Sequence, residues 1–343
     1  MTQQSGRLRV GVIGVGLQGQ SHLACYAVLP QVEIAAVADI DADKACAAAE
    51  KYGAPRWYNS YEKMLDDAPL DAVSVVTPDD LHLAPCLAAA QHGKHILVEK
   101  PLATTVADGE AIVAAARKAG VKLMTHFSNR WQLPMIVAKD AIAKGELGEP
   151  VYAYARLSNA LSVPTEMLRG WSARTRLPFW LMSHTVDRVR WLFGREAKRV
   201  HALSRSGVLT GLGFDTPDAY VATVEFEGGA MACFESCWIL PNSLPTIVDN
   251  RMELIFTGGL LEFDAGDMCV HHATPAKYRR AGILWTEAFG EPRGFVLEAM
   301  KHFVERVLAG QDPEPSGEEG LAVLRVTAAI VQSAQERRIV ELS

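Results

Sequence analysis

Two short segments carry side chains suited to moving a proton. One is Glu99-Lys100-Pro101-Leu102, which ends the apolar run His95 to Val98; the other is Pro178 to Asp187, in which His184 precedes Asp187 by one helical turn. A lysine just past the carboxyl end of a parallel strand lies where open sheets bind ligands. Beside a cationic ring in a partly desolvated pocket its amine can lose its proton near neutral pH, and can then take or return the proton of a hydroxyl. Pro101 favours an extended Lys100, and so a side chain leaving the strand in a fixed direction. On position alone Lys100 reads equally well as a surface lysine of a Glu–Lys pair. His184 is the second candidate, with Asp187 on the same helix face able to orient its imidazole or cap a network, although a lone helical histidine is more often structural. Asn129, Arg130, Trp131, Trp171 and Trp180 add fixed polar groups and flat apolar rings of the kind a sugar needs. Each of these also fits a core or rim position.

The cationic ring is implied by Leu8 to Gly19, LRVGVIGVGLQG. Gly14 allows the tight turn from strand to helix, Gly16 lets a pyrophosphate approach the backbone, and Gly19 lets helix and strand pack closely. The helix N-terminus beyond, opening at Leu17 and Gln18, offers free N–H groups and partial positive charge to the phosphates. Asp39 ends the next apolar run, where a carboxylate accepts both ribose hydroxyls; Ile40 and Asp41 follow it in place of the Ser, Arg or Lys that would welcome a 2′-phosphate. The implied ligand is a dinucleotide, NAD in preference to NADP. Thr77, Pro78 and His82 follow the strand ending at Val76 and join Glu99 and Lys100 as candidates for the same ligand.

Positioning these groups requires alternating strands and helices, and the pattern supplies them. Strands are expected at Val10 to Ile13, Val32 to Ala38, Ala72 to Val76, His95 to Val98 and Val121 to Met124. Helices are expected at Gln18 to Val28 and near Asp41 to Tyr52, Leu81 to His92 and Val106 to Ala119. Such alternation makes a doubly wound parallel sheet. After about Phe127 the pattern changes to alternating polarity at Val151 to Ser158, Ala219 to Phe226, Met231 to Trp238 and Met252 to Phe256, with turns at Glu227-Gly228-Gly229 and Thr257-Gly258-Gly259. These fit hairpins of a largely antiparallel sheet with one face free for helices or another subunit. Amphipathic helices near Gly294 to Leu308 and Glu318 to Gln335 close the chain, with GQDPEPSGEEG between them read as a solvent loop.

The chain has 343 residues, enough for two domains, and its net charge of −6 with no basic stripe excludes a nucleic-acid binder. No run approaches the ~18 to 20 apolar residues that cross a bilayer, and the first residues lack a signal-peptide core, so no membrane partner and a cytoplasmic location are expected. Six cysteines form no CxxC pair and read as free thiols in apolar surroundings. No metal is expected, since catalytic zinc wants three converging ligands; His271 and His272 read as exposed loop residues.

Together these residues resemble the glucose-fructose oxidoreductase, inositol dehydrogenase and rhizopine-catabolism (Gfo/Idh/MocA) family. The likeness rests on GVIGVGLQGQSH, VADID, Thr77-Pro78 to His82, and Glu99 to Ala103 (EKPLA). In the second half it rests on FSNRW, His184-x-x-Asp187 and MELIFTGGLLEFD. The resemblance implies an α/β chain: a Rossmann domain over 1–126 that binds NAD, and over 127–343 a substrate-binding and oligomerisation α+β domain with a large, mostly antiparallel open sheet, its helices in 294–336 able to pack back on the first domain. It implies an enzyme that exchanges hydride between NAD(P) and a secondary alcohol of a sugar, sugar acid or cyclitol, working as a homodimer or homotetramer. Lys100 would then relay the proton and His184 would hydrogen-bond the substrate hydroxyl, with Asn129, Arg130, Trp171, Trp180 and Asp187 around the substrate. One departure stands out. Many members carry an Asp four residues before the histidine, and here that position is Trp180. Two other readings follow from this change: a lyase or epimerase that uses the same NAD for transient oxidation, and a non-enzymatic sugar or NAD sensor.

Overall fold

The computed structural model describes residues 6–265 and 290–342, together with the backbone of Cys269–Thr274, Lys277–Gly282 and Trp285–Ala288. The chain divides into two compact units, Met1–Ser128 with Glu287–Leu321, and Asn129–Thr286 with Ala322–Ser343.

The first unit is built on a six-stranded, all-parallel sheet in the order β3-β2-β1-β4-β5-β6. Along the chain its elements are β1 (Leu8–Ile13), α1 (Leu17–Ala27), β2 (Val32–Ala38), α2 (Ala42–Tyr52), β3 (Trp57–Tyr58), α3 (Tyr61–Asp67), β4 (Ala72–Val75), α4 (Leu83–Gln91), β5 (His95–Val98), α5 (Val106–Ala119) and β6 (Leu123–Thr125). The central strands are near-continuous apolar runs because helices cover both faces: Val10, Val12, Ile13, Val73, Val75 and Ile96 to Val98 are all buried. Three helices begin on side-chain caps, with Asp41, Ser60 and Thr105 accepting the N–H of Lys44, Lys63 and Asp108, each worth about 1 kcal/mol. Helix α1 differs: Gly16 is its N-cap, no side chain caps it, and its first turn holds no acidic residue. The short β3 and α3 were not anticipated, since two residues and seven residues carry too little periodicity.

The second unit opens with α6 (Leu133–Ala143) and centres on a seven-stranded sheet in the order β12-β11-β7-β10-β9-β8-β17. It contains β7 (Pro150–Asn159), α7 (Ser183–Phe193), β8 (Ala197–Arg205), the single turn α8 (Val208–Gly211), β9 (Ala219–Phe226), β10 (Met231–Cys237), β11 (Val248–Phe256) and β12 (Gly259–Asp264). Among the described residues the β7–β10 pair of this sheet is parallel and its other strand pairs are antiparallel. The expected turns at Glu227 to Gly229 and Thr257 to Gly259 join β9 to β10 and β11 to β12. One face of the sheet, including Ala153, Ala155, Val224, Phe226, Phe234 and Phe256, is buried. Helix α7 packs on it, with Phe193 edge-to-face against Phe226 and Phe256 at 5.5 and 6.1 Å. The opposite face exposes Tyr152, Leu203, Val221 and Met231.

Two further ribbons follow, β13 (Cys269–Thr274) with β14 (Lys277–Gly282) and β15 (Trp285–Ala288) with β16 (Glu291–Gly294). His271 and His272 therefore lie in a strand, correcting the loop reading; their side chains lie outside the described residues. The chain ends with α9 (Phe295–Leu308), which packs on α1, then α10 (Gly317–Glu336) and β17 (Val340–Glu341). The segment read as a solvent loop is shorter and more engaged than expected. Ser316 and Glu319 form a reciprocal capping box that starts α10 at Gly317, and Asp312 and Glu318 pair with Lys122 and Arg117. Among the cysteines, Cys25 and Cys86 are buried but Cys46, Cys233 and Cys237 are only half-buried.

Candidate active site

The dinucleotide-type cradle is built at the carboxyl end of β1. Gly14 has φ +91°, and a Cβ there would lie 2.7 Å from the Val76 carbonyl oxygen. A Cβ at Gly19 would lie 2.1 Å from the Gly14 oxygen, whereas at Gly16 it would meet nothing within 4 Å. Two of the three glycines therefore permit close backbone packing, and the third keeps open space before the uncapped N-terminus of α1. That is the arrangement a pyrophosphate requires. Asp39 closes the cradle, accepting the Val15 N–H at 2.9 Å and the Asp41 N–H at 3.0 Å. Leu17 and Ile40 flank it with exposed apolar side chains, Ile40 being 97% exposed, and the half-buried Gln20 side chain donates to the Val15 carbonyl. Gln18 is exposed on the first turn of α1.

The strand order reverses between β1 and β4, and the residues beyond β4 and β5 face that switch point. His82 ties the two loops together, one ring nitrogen 2.9 Å from the Pro101 oxygen and the other 3.1 Å from the Thr77 oxygen. Thr77 and Pro78 remain half-buried. Lys100 is only 8% exposed, so the surface Glu–Lys pair weighed from sequence does not describe it. Burial pushes its pKa below the usual lysine range, against the opposing pull of Glu99 and Asp79.

Glu99 belongs to a cluster the sequence reading missed. Its Oε1 lies 3.0 Å from His22 Nε2 and 2.8 Å from His126 Nδ1, and its Oε2 accepts the Lys100 backbone N–H at 3.1 Å. His22 Nδ1 lies 3.2 Å from Ser74 Oγ, itself 2.7 Å from Tyr26 Oη. All five side chains are buried. Burial would raise the Glu99 pKa, but its interactions with His126 and His22, hydrogen bonds among them, outweigh it and hold the carboxyl well below its usual range. Burial pushes His22 down, with Glu99 opposing. His22, Glu99 and His126 are also a set of three cation donors within 4.8 Å among the described residues. Both rings, however, point at the same carboxylate oxygen at hydrogen-bonding distance, so these donors already satisfy one another. His126 follows β6 as Glu99 follows β5; applying the strand-end rule to β6 would have found it.

In the second unit, His184 is half-buried in the first turn of α7, directly after a π-helical turn over Pro178–Met182 that contains Trp180. Trp171 and Trp180 meet edge-to-face at 4.9 Å, both half-buried. Arg130 and Asp187 are buried against each other: Arg130 Nε lies 3.0 Å from Oδ2, and Nη2 lies 2.6 Å from Oδ1. The guanidinium also covers the Trp191 ring at 5.3 Å. This pair anchors α7 to the segment that begins the unit. Asn129 is buried and accepts from Gln132 at 3.1 Å, while Trp131 is half-buried.

Residues 8–127 match a family described as oxidoreductases with an NAD-binding Rossmann fold, and residues 135–262 match the GFO/IDH/MocA C-terminal domain. The chain is 26% identical over 338 residues to a myo-inositol 2-dehydrogenase of Thermotoga maritima, covering 98% of each chain. It is 30% identical over 344 residues to D-xylose 1-dehydrogenase (NADP(+)) 2 of Haloferax volcanii, covering 95% of this chain and 99% of that one. A solved probable dehydrogenase from Thermotoga maritima superposes with a TM-score of 0.82 at 25% identity, over 97% of this chain and 98% of the other. With both halves matched and the parallel and mixed sheets in place, the chain belongs to the Gfo/Idh/MocA family of oxidoreductases.

Proposed function

We propose that the protein is an NAD-dependent dehydrogenase of a sugar, sugar acid or cyclitol, with Lys100 relaying the hydroxyl proton and His184 hydrogen-bonding the substrate hydroxyl. The observation that carries this reading is Lys100 itself: a buried amine at the carboxyl end of β5, beside the sheet's switch point, with its pKa lowered by burial. A bound nicotinamide would supply the hydride acceptor for the carbinol carbon. Lys100 Nζ takes the hydroxyl proton, so an alcohol and NAD become a ketone, NADH and a proton. The names of the inositol and xylose relatives support the substrate class. Asp39 supports NAD, since a second negative charge would meet a 2′-phosphate, although the Haloferax relative is named for NADP. In this reading Trp171 and Trp180 offer rings to the C–H faces of the substrate, Asn129 lends a polar group, and the Arg130–Asp187 pair holds α7 in place. The exposed face bearing Tyr152, Leu203, Val221 and Met231 joins copies into a homodimer or homotetramer.

The test is NADH fluorescence with purified protein across monosaccharides, aldonates, inositols and glycosides, run in parallel with NADP. A substrate should appear, and Lys100→Met should lower its kcat/KM by about 100-fold or more with NADH affinity retained. Turnover unaffected by Lys100→Met refutes the relay.

A further inference from the structure

We propose that His22, Glu99 and His126 form a buried positioning unit for Lys100, fixing its backbone at the end of β5 and holding a negative charge beside its ammonium. The proposal deepens the proton-relay reading of Lys100 and rests on it.

With Glu99 ionised and His22 kept neutral by its burial, the contacts fit one proton arrangement. Tyr26 donates to Ser74, Ser74 donates to His22 Nδ1, and the neutral His22 then donates from Nε2 to Glu99 Oε1. His126 Nδ1 donates to the same oxygen, and the Lys100 N–H donates to Oε2. An ionised carboxylate receives three N–H groups in this scheme, which compensates for its burial. The donors come from α1, from the residue after β6 and from the chain just past β5, so three segments of the first unit converge on one carboxylate. A buried polar network of this kind adds little net stability over an apolar core of the same shape. Its consequence lies in the neighbour it constrains. Lys100 follows Glu99 directly, and Glu99, from its own segment, and Asp79, from the turn after β4, both favour the charged form of its ammonium against burial. His82, across the loop, binds the Pro101 oxygen and fixes the other flank.

Removing the Glu99 charge while keeping its shape should therefore let the Lys100 amine deprotonate at lower pH. In Glu99→Gln the amide oxygen still accepts from both histidines, but the charge is gone. The Lys100 midpoint can be read directly, without turnover, from the 13Cε resonances of lysine-labelled full-length protein, with Lys100→Arg assigning the peak. The expected result is a midpoint lower by about one pH unit or more, and an acid limb of kcat/KM for alcohol oxidation displaced to lower pH by a similar amount. His126→Ala, which removes one donor but leaves the carboxylate ionised, should move both readouts less than Glu99→Gln does. His126→Asn, which restores an N–H near Nδ1, should return them toward the wild-type values. An unchanged Lys100 midpoint in folded Glu99→Gln and in His126→Ala overturns the proposal. If the midpoint moves in the variants yet the wild type oxidises no polyol, the positioning unit stands and the relay reading falls.

Discussion

The two glycines flanking the α1 N-terminus should fail differently when each gains a methyl group. At Gly19 the added Cβ would lie 2.1 Å from the Gly14 oxygen and 2.9 Å from its carbonyl carbon. Both are backbone atoms, and Gly14 is itself wedged against Val76 at φ +91°, so α1 must move away from the loop. Overpacking of that kind costs about 1–3 kcal/mol and also misaims the first-turn N–H groups. Gly16 has φ −66° and ψ −160°, open to alanine, and its Cβ would enter empty space. Gly16→Ala should then change stability by no more than about 0.5 kcal/mol, while the methyl occupies the room the pyrophosphate needs. Losing one charge-assisted hydrogen bond to phosphate costs about 1.5–3 kcal/mol, or about 10- to 150-fold in Kd. Thermal melts with and without NADH, paired with NADH fluorescence titrations, separate the cases. Gly16→Ala should melt like wild type without ligand yet lose the ligand-induced rise, and Gly19→Ala should lose stability and affinity together. NADH binding by Gly16→Ala within about threefold of wild type, or an unaltered melt for Gly19→Ala, refutes the argument.

Three further expectations follow from single sites. Asp187→Ala strands the buried Arg130 guanidinium and should cost about 3–5 kcal/mol in urea unfolding, most of it recovered when Arg130→Met is added; a loss below about 1 kcal/mol contradicts the pairing argument. Asp39→Ser should narrow the NAD-over-NADP preference about tenfold or more, read as the ratio of kcat/KM values, and an unchanged ratio removes Asp39 from cofactor choice. His22, His95 and His302 all have pKa values lowered, with burial the largest cause. The unfolded chain therefore binds more protons than the folded one just below the ordinary histidine pKa of about 6.5, and stability should fall as pH drops from there. His92 opposes this, since the Ala88 carbonyl and Asp66 raise its pKa, so its contribution is present at low pH and lost as pH rises. A melting temperature flat from about pH 8 to 5 shows that His22, His95 and His302 do not dominate.

The first unit was legible because parallel strands covered on both faces leave uninterrupted apolar runs, and because glycines at a strand exit leave a spacing that few other turns share. Strand β8, AKRVHALSR, was missed for the opposite reason: only Val200 and Ala202 along it are buried. Lys100 emerged from one topological rule, that ligands gather past strand ends. The cluster around it could not emerge from spacing, since positions 22, 74, 99 and 126 become neighbours only through the strand order that sets β1, β4, β5 and β6 side by side.

Arg130 and Asp187 show the complementary weakness of reading residues one at a time. Each was a plausible substrate contact by type, since sugars need fixed donors and acceptors. Yet a buried guanidinium and a buried carboxylate are costly apart, and any fold that buries both is driven to bring them together. The observed bidentate pair, 57 residues apart in sequence, is what that cost demands. Opposite charges that flank a candidate site on separate elements should therefore be tested first as partners of each other, and only the charge left over counted as a ligand. By that order of reasoning Arg130 and Asp187 are read first as partners that fix α7 to the start of the second unit.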